Sequence, residues 1–317
     1  ALTCYGMVTF EGPLLSLKNV NMLSHFTDWT IAHVHIGGLG WNAMFTFGML
    51  YWLFPRMFRV KLYSKKLANQ HFWIATLGVI LYAIPMYIAG FMQGLMWQDF
   101  KPDGKLEHAD FLATVQALEP YYMLRSLGGL LFIVGACMMF YNLIKTAKSG
   151  NFLANEEAEA PNMRDVEVKE HGKHFWHRSI EKKPVRFMLL AIVVVAIGGI
   201  AEIIPTMIVK SNVPTISSVK PYTPLELEGR DIYIEEGCYN CHSQMIRPLR
   251  FETERYGEYS KSGEFVYDHP FQWGSKRTGP DLAREGGLRP DSWHYQHMIR
   301  PKDISNGSIM PAYPWLK

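Results

Sequence analysis

Apolar and polar residues are strongly segregated along the chain. Long apolar runs separated by short charged loops fill the first half, one more run lies near residues 187–209, and the remainder is polar. A helix needs about 20 mainly apolar residues to cross the hydrocarbon core of a bilayer. Four segments therefore predict membrane-spanning helices: Trp29–Phe54, Phe72–Trp97, Tyr121–Ile144 and Phe187–Val209. The pattern predicts a multi-pass protein in contact with the lipid bilayer.

The start of the chain indicates a fragment of a longer protein. It opens on Ala1, without a methionine and inside an apolar stretch. Residues 1–10 predict the last turns of an earlier helix, which the sequence Glu11-Gly12-Pro13 closes. A leading part of the protein is therefore expected before this chain.

Lysine and arginine are unevenly distributed among the loops. The loop 55–66 is basic, and the loop 98–110 is acidic overall. Because Lys and Arg concentrate on the cytoplasmic side, the first loop is predicted inside the cell and the second outside. Alternation then places residues 146–183 inside and everything after about Lys210 outside. In a Gram-negative bacterium, the expected location is therefore the inner membrane, with a periplasmic C-terminal domain.

The same pattern predicts an all-α fold of four regions. These are membrane helices at 1–145, a cytoplasmic linker at 146–183, an anchor helix at 184–210 and a periplasmic domain at 211–317. The linker lacks any apolar period, so a flexible tether is expected. Its histidines His171, His174 and His177 suit either a metal site or, as we favour, a solvated cluster.

Composition narrows the possible functions. The net charge is only +3, and no basic block is interleaved with aromatic residues, so a nucleic-acid partner is not expected. Two of the four cysteines, Cys4 and Cys137, lie alone in apolar segments, where a small buried hydrophobe is the simpler interpretation. The other two form a motif.

Cys238, Cys241 and His242 form the pattern Cys-x-x-Cys-His. Two thiols at this spacing attach covalently to one haem c, and the histidine that follows ligates its iron. A zinc site would need more Cys or His ligands, and a thioredoxin-like pair would need a βαβ context. Neither is visible in the sequence, so haem attachment is predicted.

A six-coordinate haem needs a second axial ligand. Met310, in a Gly-Ser-Ile-Met-Pro segment, is the predicted one, with Met298 and Met245 as alternatives. The sequence Thr-Gly-Pro-Asp-Leu around Pro280 resembles the loop of small cytochromes c whose proline carbonyl accepts the axial imidazole Nδ1–H. Pro280 is therefore expected to orient His242.

The first spanning segment contains His33 and His35, two residues apart. Because helical residues are about 100° apart, the two imidazoles point to opposite sides of the helix. Each can then ligate a different cofactor. Ionisable side chains inside a membrane are costly and usually functional, although two histidines hydrogen-bonded to neighbouring helices remain an alternative.

Several segments resemble one enzyme family. Ser24–His35 resembles the tenth helix of the catalytic subunit of cbb3-type cytochrome oxidases, of the haem–copper superfamily, and Tyr5–Pro13 resembles the end of the preceding helix. From about residue 185 the chain resembles the mono-haem cytochrome c subunit of the same enzyme. The matching segments are Cys238–Pro248, Trp273–Leu282 and Ser308–Trp315. The resemblance implies a haem–copper-type helix bundle joined to a membrane-anchored cytochrome c domain, as a piece of a fusion of both subunits.

The resemblance also implies roles for matched residues. His33 would be the proximal ligand of the oxygen-binding high-spin haem b, and His35 a ligand of the low-spin haem b. His25 would lie near the haem propionates, with an interfacial histidine as the alternative. Tyr5 and Glu11 match positions associated with proton movement, although a helix-terminal Glu is often merely solvated.

Other positions are open or depart from the family. Arg125 could pair with a propionate or simply extend to the interface, and Glu202 in the anchor helix has no assigned role. Neither His71 nor His108 matches a copper ligand. The complete enzyme is expected to contain copper, but its ligands and the second low-spin haem ligand are expected before Ala1.

The resemblance implies a proton-pumping oxidase in which a donor cytochrome c reduces haem c. Electrons would then pass through the low-spin haem to the high-spin haem, where oxygen is reduced to water. Further subunits are expected, including one that bears c-type haems. The alternatives are a nitric oxide reductase of the same superfamily and a membrane-anchored electron-transfer cytochrome without a catalytic centre.

Overall fold

The structure, a computed structural model, describes residues 1–152, 180–209 and 214–316. These residues form helices and contain no named strand, as the sequence predicts. The α-helices are α1 (Leu2–Ser16), α2 (Lys18–Ser24), α3 (Asp28–His35), α4 (Met44–Met57), α5 (Lys65–Gln98), α6 (Phe111–Lys148), α7 (Pro184–Ile208), α8 (Pro224–Glu235), α9 (Arg250–Tyr256), α10 (Asp291–Ile299) and α11 (Pro301–Ile304). Short 3₁₀ turns lie at Cys238–Asn240 and Ser262–Phe265.

The first predicted spanning segment is helical throughout, but it is not one uniform α-helix. A π-helical segment, Ile36–Ala43, lies between α3 and α4. A Cβ added at Gly40 in this segment would lie 2.7 Å from Cys4 Sγ, so the glycine allows α1 to approach closely. π-Segments inside helices are frequent at functional sites, and this one begins immediately after His35.

Among the residues that the structure describes, three helices are long and apolar enough to cross a membrane: α5 with 34 residues, α6 with 38 and α7 with 25. The predicted spanning segments lie inside α5 and α6, which both extend beyond them. α5 and α6 pack closely because glycines face each other. A Cβ at Gly78 would lie 2.8 Å from the Gly128 carbonyl oxygen, and one at Gly128 would lie 2.6 Å from the Tyr82 nitrogen. Small residues commonly allow this approach between membrane helices.

The predicted end of the first helix at Glu11-Gly12-Pro13 is wrong, because α1 continues to Ser16 with Pro13 inside it. A proline inside a helix removes one backbone hydrogen-bond donor and often kinks or ends the helix. Here the helical backbone continues for three residues beyond Pro13. The Ser16 hydroxyl donates to the Pro13 carbonyl at 2.6 Å, which satisfies one of the terminal acceptors. The chain turns only at Leu17, where the backbone becomes extended.

The chain divides into two compact units. One comprises residues 1–153, 221–260 and 267–317, and the other comprises residues 154–220 and 261–266. The first unit therefore contains α1 to α6 together with most of the predicted periplasmic domain, and the second contains α7. The exact regional boundaries stay predictions. The predicted histidine cluster His171, His174 and His177 lies outside the described residues.

An apolar cluster inside the first unit joins distant parts of the chain. It is formed by four buried residues, Phe26, Trp97, Leu106 and Phe251. These come from the α2–α3 turn, the end of α5, the loop after α5 and helix α9. The domain that is predicted to lie outside the membrane, residues 221–260 and 267–317 (called the outer domain), thus shares one core with the adjoining ends of the helices.

Candidate functional site

The Cys-x-x-Cys-His motif follows helix α8. This helix starts with a capping box, in which Thr223 and Glu226 exchange side-chain and backbone hydrogen bonds. Gly237 ends it with φ +70°, a backbone conformation in which glycine is favoured. The chain then makes a 3₁₀ turn, and the His242 amide donates to the Cys238 carbonyl at 3.0 Å. The turn brings both thiols and the imidazole to one wall of a cavity.

The His242 imidazole is held by the loop that contains Pro280. His242 Nδ1 lies 2.8 Å from the Pro280 carbonyl oxygen, which is the contact expected from the sequence. A Cβ added at Gly279 would overlap the imidazole, so the absent side chain makes room for the ring. Burial lowers the pKa of His242, although the Pro280 carbonyl opposes this. A neutral ring with Nδ1 engaged leaves Nε2 for a metal.

The cavity beside this motif has a volume of about 370 Å³. Cys238, Cys241 and His242 line it together with Met298 and Met310. Met245, the other alternative, packs against the apolar cluster of Phe26 and Trp97. Two thiols, one oriented imidazole and a thioether facing one cavity are the donors that a covalently bound haem c requires. The residues fit haem c.

The loop with Met310 is anchored at several points. Gly307 has φ +86°, and a side chain there would collide with Gln116 of α6. The Tyr313 amide donates to the Met298 carbonyl at 2.8 Å. The Trp315 indole donates to Glu236 Oε1 at 2.6 Å, close to the cysteine motif. The choice of Met310 over Met298 as axial ligand stays a prediction.

Sequence reasoning missed part of the cavity wall. The first turns of α6 contribute Phe111 and Val115, and α10 contributes Trp293 and His297. His297 stacks on Trp293 with ring centroids 4.5 Å apart. The spacing of four residues, which is about one helical turn, was a usable signal for this pair. No local signal points to the start of α6, because it reaches the cavity only through tertiary packing.

Glu11 is buried among polar groups of other helices. Its carboxylate accepts from the Trp29 indole and, at 2.7 Å, from the Tyr87 hydroxyl. His33 Nδ1 lies 3.1 Å from Glu11 Oε2. The alternative of a solvated helix-terminal glutamate is therefore wrong, since only 9% of the residue is exposed. Its association with proton movement stays a prediction.

His35 faces different neighbours from His33. Its Nδ1 donates to the Ile31 carbonyl at 2.8 Å, and its Nε2 lies 3.1 Å from the Tyr82 hydroxyl. The ring stacks on Tyr82 with centroids 4.5 Å apart. His33 thus meets α1, and His35 meets α5. The imidazoles diverge as helical geometry requires, and their ligand roles stay predictions.

The remaining predicted residues are dispersed. Tyr5 is 43% exposed and packs against Trp41. The Arg125 guanidinium lies 3.8 Å from Met86 Sδ and 5.0 Å from the Tyr122 ring centroid. The structure does not bring these two residues to the histidines of α3, and their predicted roles are untested.

His25 lies in the α2–α3 turn, beside Phe26. Burial lowers its pKa to about 4, and the positive charges of Arg247 and Arg277 contribute. The imidazole is therefore neutral at neutral pH. His25 thus lies where the outer domain meets the membrane helices.

Glu202 belongs to α7 and is exposed within its unit. The described residues contain no group of three or more His, Cys, Asp or Glu side chains that could hold a metal ion. No copper site is therefore assigned within them.

Comparison with known families matches the two ends of the chain separately. Residues 1–131 match the family described as Cytochrome C and Quinol oxidase polypeptide I. Residues 177–317 match Cytochrome C oxidase, mono-heme subunit/FixO. Residues 1–131 therefore belong to the oxidase polypeptide I family, and residues 177–317 belong to the family of mono-haem subunits. The first part is similar to the catalytic subunit of a cbb3-type oxidase, which agrees with the resemblance drawn from the sequence.

Individual relatives support the narrower assignment. A cytochrome c oxidase subunit 1 homolog of Agrobacterium tumefaciens is 54% identical over 147 residues, which cover 46% of this chain and 27% of that protein. The cbb3-type cytochrome c oxidase subunit CcoN1 of Stutzerimonas stutzeri is 46% identical over 150 residues, 47% of this chain and 31% of that protein. The chain thus spans less than a third of these curated relatives.

One subunit of a nitric oxide reductase, also of Stutzerimonas stutzeri, is more distant. It is 26% identical over 136 residues, which cover 41% of this chain and 28% of that protein. The oxidase subunits are therefore the more similar of the two kinds of relative.

Proposed function

We propose that the chain is part of a proton-pumping cbb3-type terminal oxidase and carries three of its redox sites. One observation supports this above all. The cavity with the cysteine motif and the helix with the paired histidines belong to one compact unit with a shared apolar core. When bound, haem c would accept electrons, and the low-spin and high-spin haems b would carry them to oxygen, which is reduced to water.

In the outer domain, each ligand has a defined task. Cys238 and Cys241 would form the thioethers to haem c, and His242 would ligate its iron through Nε2 while the Pro280 carbonyl holds Nδ1. Met310 would supply the second ligand, whose thioether would raise the reduction potential relative to a second histidine.

In the membrane part, α3 would separate two haem sites. His33 would ligate the high-spin haem and His35 the low-spin haem, since the two side chains leave the helix on opposite sides. The Glu11 carboxylate orients His33 from α1, as an outer partner commonly does for a metal-bound histidine. Together with Tyr5, Glu11 would also take part in delivering protons.

Other components complete the enzyme. The ligands of copper and the second ligand of the low-spin haem are not assigned to any of the described residues. The donor is a cytochrome c, and further subunits, one with c-type haems, assemble in the bacterial inner membrane. The outer domain would lie on the periplasmic side, where His25 and Arg125 would contact haem propionates. The anchor helix α7 would end on the same side of the membrane.

A nitric oxide reductase is the second candidate, because one such relative matches the same superfamily. The higher identity to oxidase subunits, 54% against 26%, favours oxygen as the substrate. Consumption of oxygen and of nitric oxide by the purified enzyme, each with reduced cytochrome c, separates the two. A plain electron carrier would consume neither and would lack b-type absorbance.

The test replaces His33 or His35 by alanine in the complete enzyme. Each change should remove one b-type absorbance and stop oxygen consumption, while the c-type absorbance remains. His108→Ala, in the outer loop before α6, is the matched control and should behave like the wild type. Full haem content and respiration in both His33 and His35 variants would refute the proposal.

A further inference from the structure

A buried arginine of the outer domain, Arg277, makes a dense set of hydrogen bonds near the haem c motif. Only 1% of it is exposed. The guanidinium donates to Ser243 Oγ at 2.6 Å and to the Met245 carbonyl at 2.8 Å. It also lies 3.0 Å from Glu252 Oε1 and 3.2 Å from Asp281 Oδ2. Ser243 directly follows the predicted axial ligand, so Arg277 braces that ligand's loop.

The charge of Arg277 is fully compensated. Burial alone would lower the pKa of Arg277, but Tyr256, Glu252 and Asp281 together raise it. Burial alone would raise the pKa of Glu252, but Arg277 and Arg247 bring it below the usual value. Both groups are therefore charged at neutral pH, and the planar guanidinium can hold several acceptors in one fixed geometry.

The backbone and the flat face of the same arginine contact the membrane part. Its amide donates to the Phe26 carbonyl at 2.8 Å, and its guanidinium carbon lies 4.2 Å from the Phe26 ring centroid. Phe26 is completely buried and has φ +67°. A left-handed backbone at an aromatic residue is strained, and such strain persists only where neighbours enforce it.

Gln93 of α5 continues the connection to α3. Its Nε2 donates to the Arg277 carbonyl at 2.9 Å, and its Oε1 accepts from the Asp28 amide at 2.8 Å. Asp28 is the first residue of α3 and also accepts from the Tyr122 hydroxyl at 2.8 Å. A continuous series of hydrogen bonds thus runs from the haem c loop to the start of the helix that carries the paired histidines.

We propose that Arg277, with Gln93 as its partner, is a positioning residue that fixes the haem c site relative to the haem ligands of α3. The proposal rests on the proposed function, since it concerns electron transfer between those sites. Transfer between cofactors slows steeply as their separation grows, so a supporting network must hold them within a fraction of an ångström. The Arg277 side chain contacts the loop that follows the cysteine motif. Its backbone forms hydrogen bonds with Phe26 and Gln93, which lie beside the start of α3.

A purely structural role inside the outer domain is the competing explanation. Ser243, Glu252 and Asp281 belong to that domain, and their contacts alone would only stabilise it. Gln93 separates the two explanations, because it lies on α5 and touches neither the cysteine motif nor the guanidinium. Gln93→Leu removes both hydrogen bonds at a similar side-chain volume.

The experiment compares the complete purified oxidase with its Gln93→Leu variant. The content of haem c and haem b should be unchanged. Reduction of the b haems by pre-reduced haem c, followed by stopped-flow absorbance, should slow by at least about tenfold, since small misplacements have large kinetic effects. Amide hydrogen exchange over residues 24–32 should accelerate, because the Asp28 amide loses its acceptor.

Two arginine variants complete the design. Arg277→Lys keeps the charge but not the multiple fixed donors, and it should slow the same step while the oxygen reaction of the fully reduced enzyme starts at the normal rate. Arg250→Gln is the matched control. Arg250 also connects the outer domain to a membrane loop, donating to the Gly104 carbonyl at 2.8 Å, but its side chain is 63% exposed and remote from α3. It should behave like the wild type.

The results are decisive in either direction. Unchanged transfer or unchanged exchange in Gln93→Leu would overturn the inference. If Arg277→Lys fails to bind haem c, the glutamine variant decides alone. If the wild-type enzyme itself passes no electrons from haem c to the b haems, the proposed function fails, whatever the variants do.

Discussion

The two candidate redox regions of this chain are built differently. In the outer domain, Cys238, Cys241 and His242 occupy one short turn, and Pro280 reaches the imidazole from a neighbouring loop. In the membrane part, His33 and His35 lie two residues apart on α3, but their partners Glu11 and Tyr82 come from α1 and α5. A local motif specifies the first site, whereas packing of distant helices completes the second.

The sharpest separation of the two regions comes from His242→Ala. Loss of the axial imidazole should abolish the low-spin c-type spectrum and reduce oxygen consumption with cytochrome c to background. The b-type absorbance should remain, because the proposed ligands of the b haems lie on α3 and are unchanged. Optical difference spectra and an oxygen electrode measure both effects. Loss of the b-type signals together with the c-type signal would show that the two sites do not form independently.

Arg277 and Glu252 form a buried ion pair where the outer domain meets the membrane helices, a region called the junction below. This pair should contribute strongly to the stability of the outer domain. Glu252→Gln leaves the guanidinium of Arg277 without its main counter-charge, and removing one partner of a buried pair costs about 3–5 kcal/mol. Denaturant unfolding, followed through the haem c absorbance, measures the loss. Glu254→Gln breaks the exposed pair with Arg250 and should cost less than about 0.5 kcal/mol. Equal losses of stability in the two variants would contradict the role assigned to the buried pair.

The junction should also loosen in mild acid. The pKa of His25 is lowered from 6.5 to about 4 by burial and by the nearby Arg247 and Arg277. Because His25 binds a proton less tightly in the folded than in the unfolded protein, the folded state loses stability as the pH falls from 6.5 towards 4. Amide exchange around Phe26 should therefore rise between pH 7 and about 5. The rise should disappear in His25→Gln, and a rise that persists there would assign the effect to another group.

The smallest expected effect concerns Tyr82→Phe. If His35 ligates iron through Nε2, the Tyr82 hydroxyl has no essential partner there, and the b-type spectrum should be unchanged. If His35 and Tyr82 instead serve only to form their hydrogen bond, its loss should lower the free energy of unfolding by about 1 kcal/mol. Spectra and thermal unfolding of the same preparation distinguish these results. An altered b-type band would weaken the ligand assignment of His35.

The sequence predicted best what depends on neighbouring residues. The helical fold and the apolar segments follow from periodicity and length, and the contact from Pro280 to His242 follows from a short motif. The α1 boundary was missed because Ser16 caps the turn beyond Pro13. The π-segment after His35 was also missed, since its backbone depends on contact with α1 at Gly40.

Contacts between distant parts of the chain could not be predicted. Arg277 and Phe26 are separated by most of the chain, and nothing in the local sequence of either residue reveals their stacking. The burial of Glu11 depends on Trp29 and Tyr87, which approach only after the helices pack. Likewise, the start of α6 forms part of the haem c cavity through packing alone.

The left-handed backbone of Phe26 has a consequence for biogenesis. An aromatic residue leaves this conformation readily unless its surroundings hold it, and the holding contacts come from Arg277 as well as from Trp97 and Leu106. The α2–α3 turn is therefore expected to reach its final shape only when both parts of the unit have packed against Phe26. The start of α3 would then become ordered together with the domain that carries the cysteine motif.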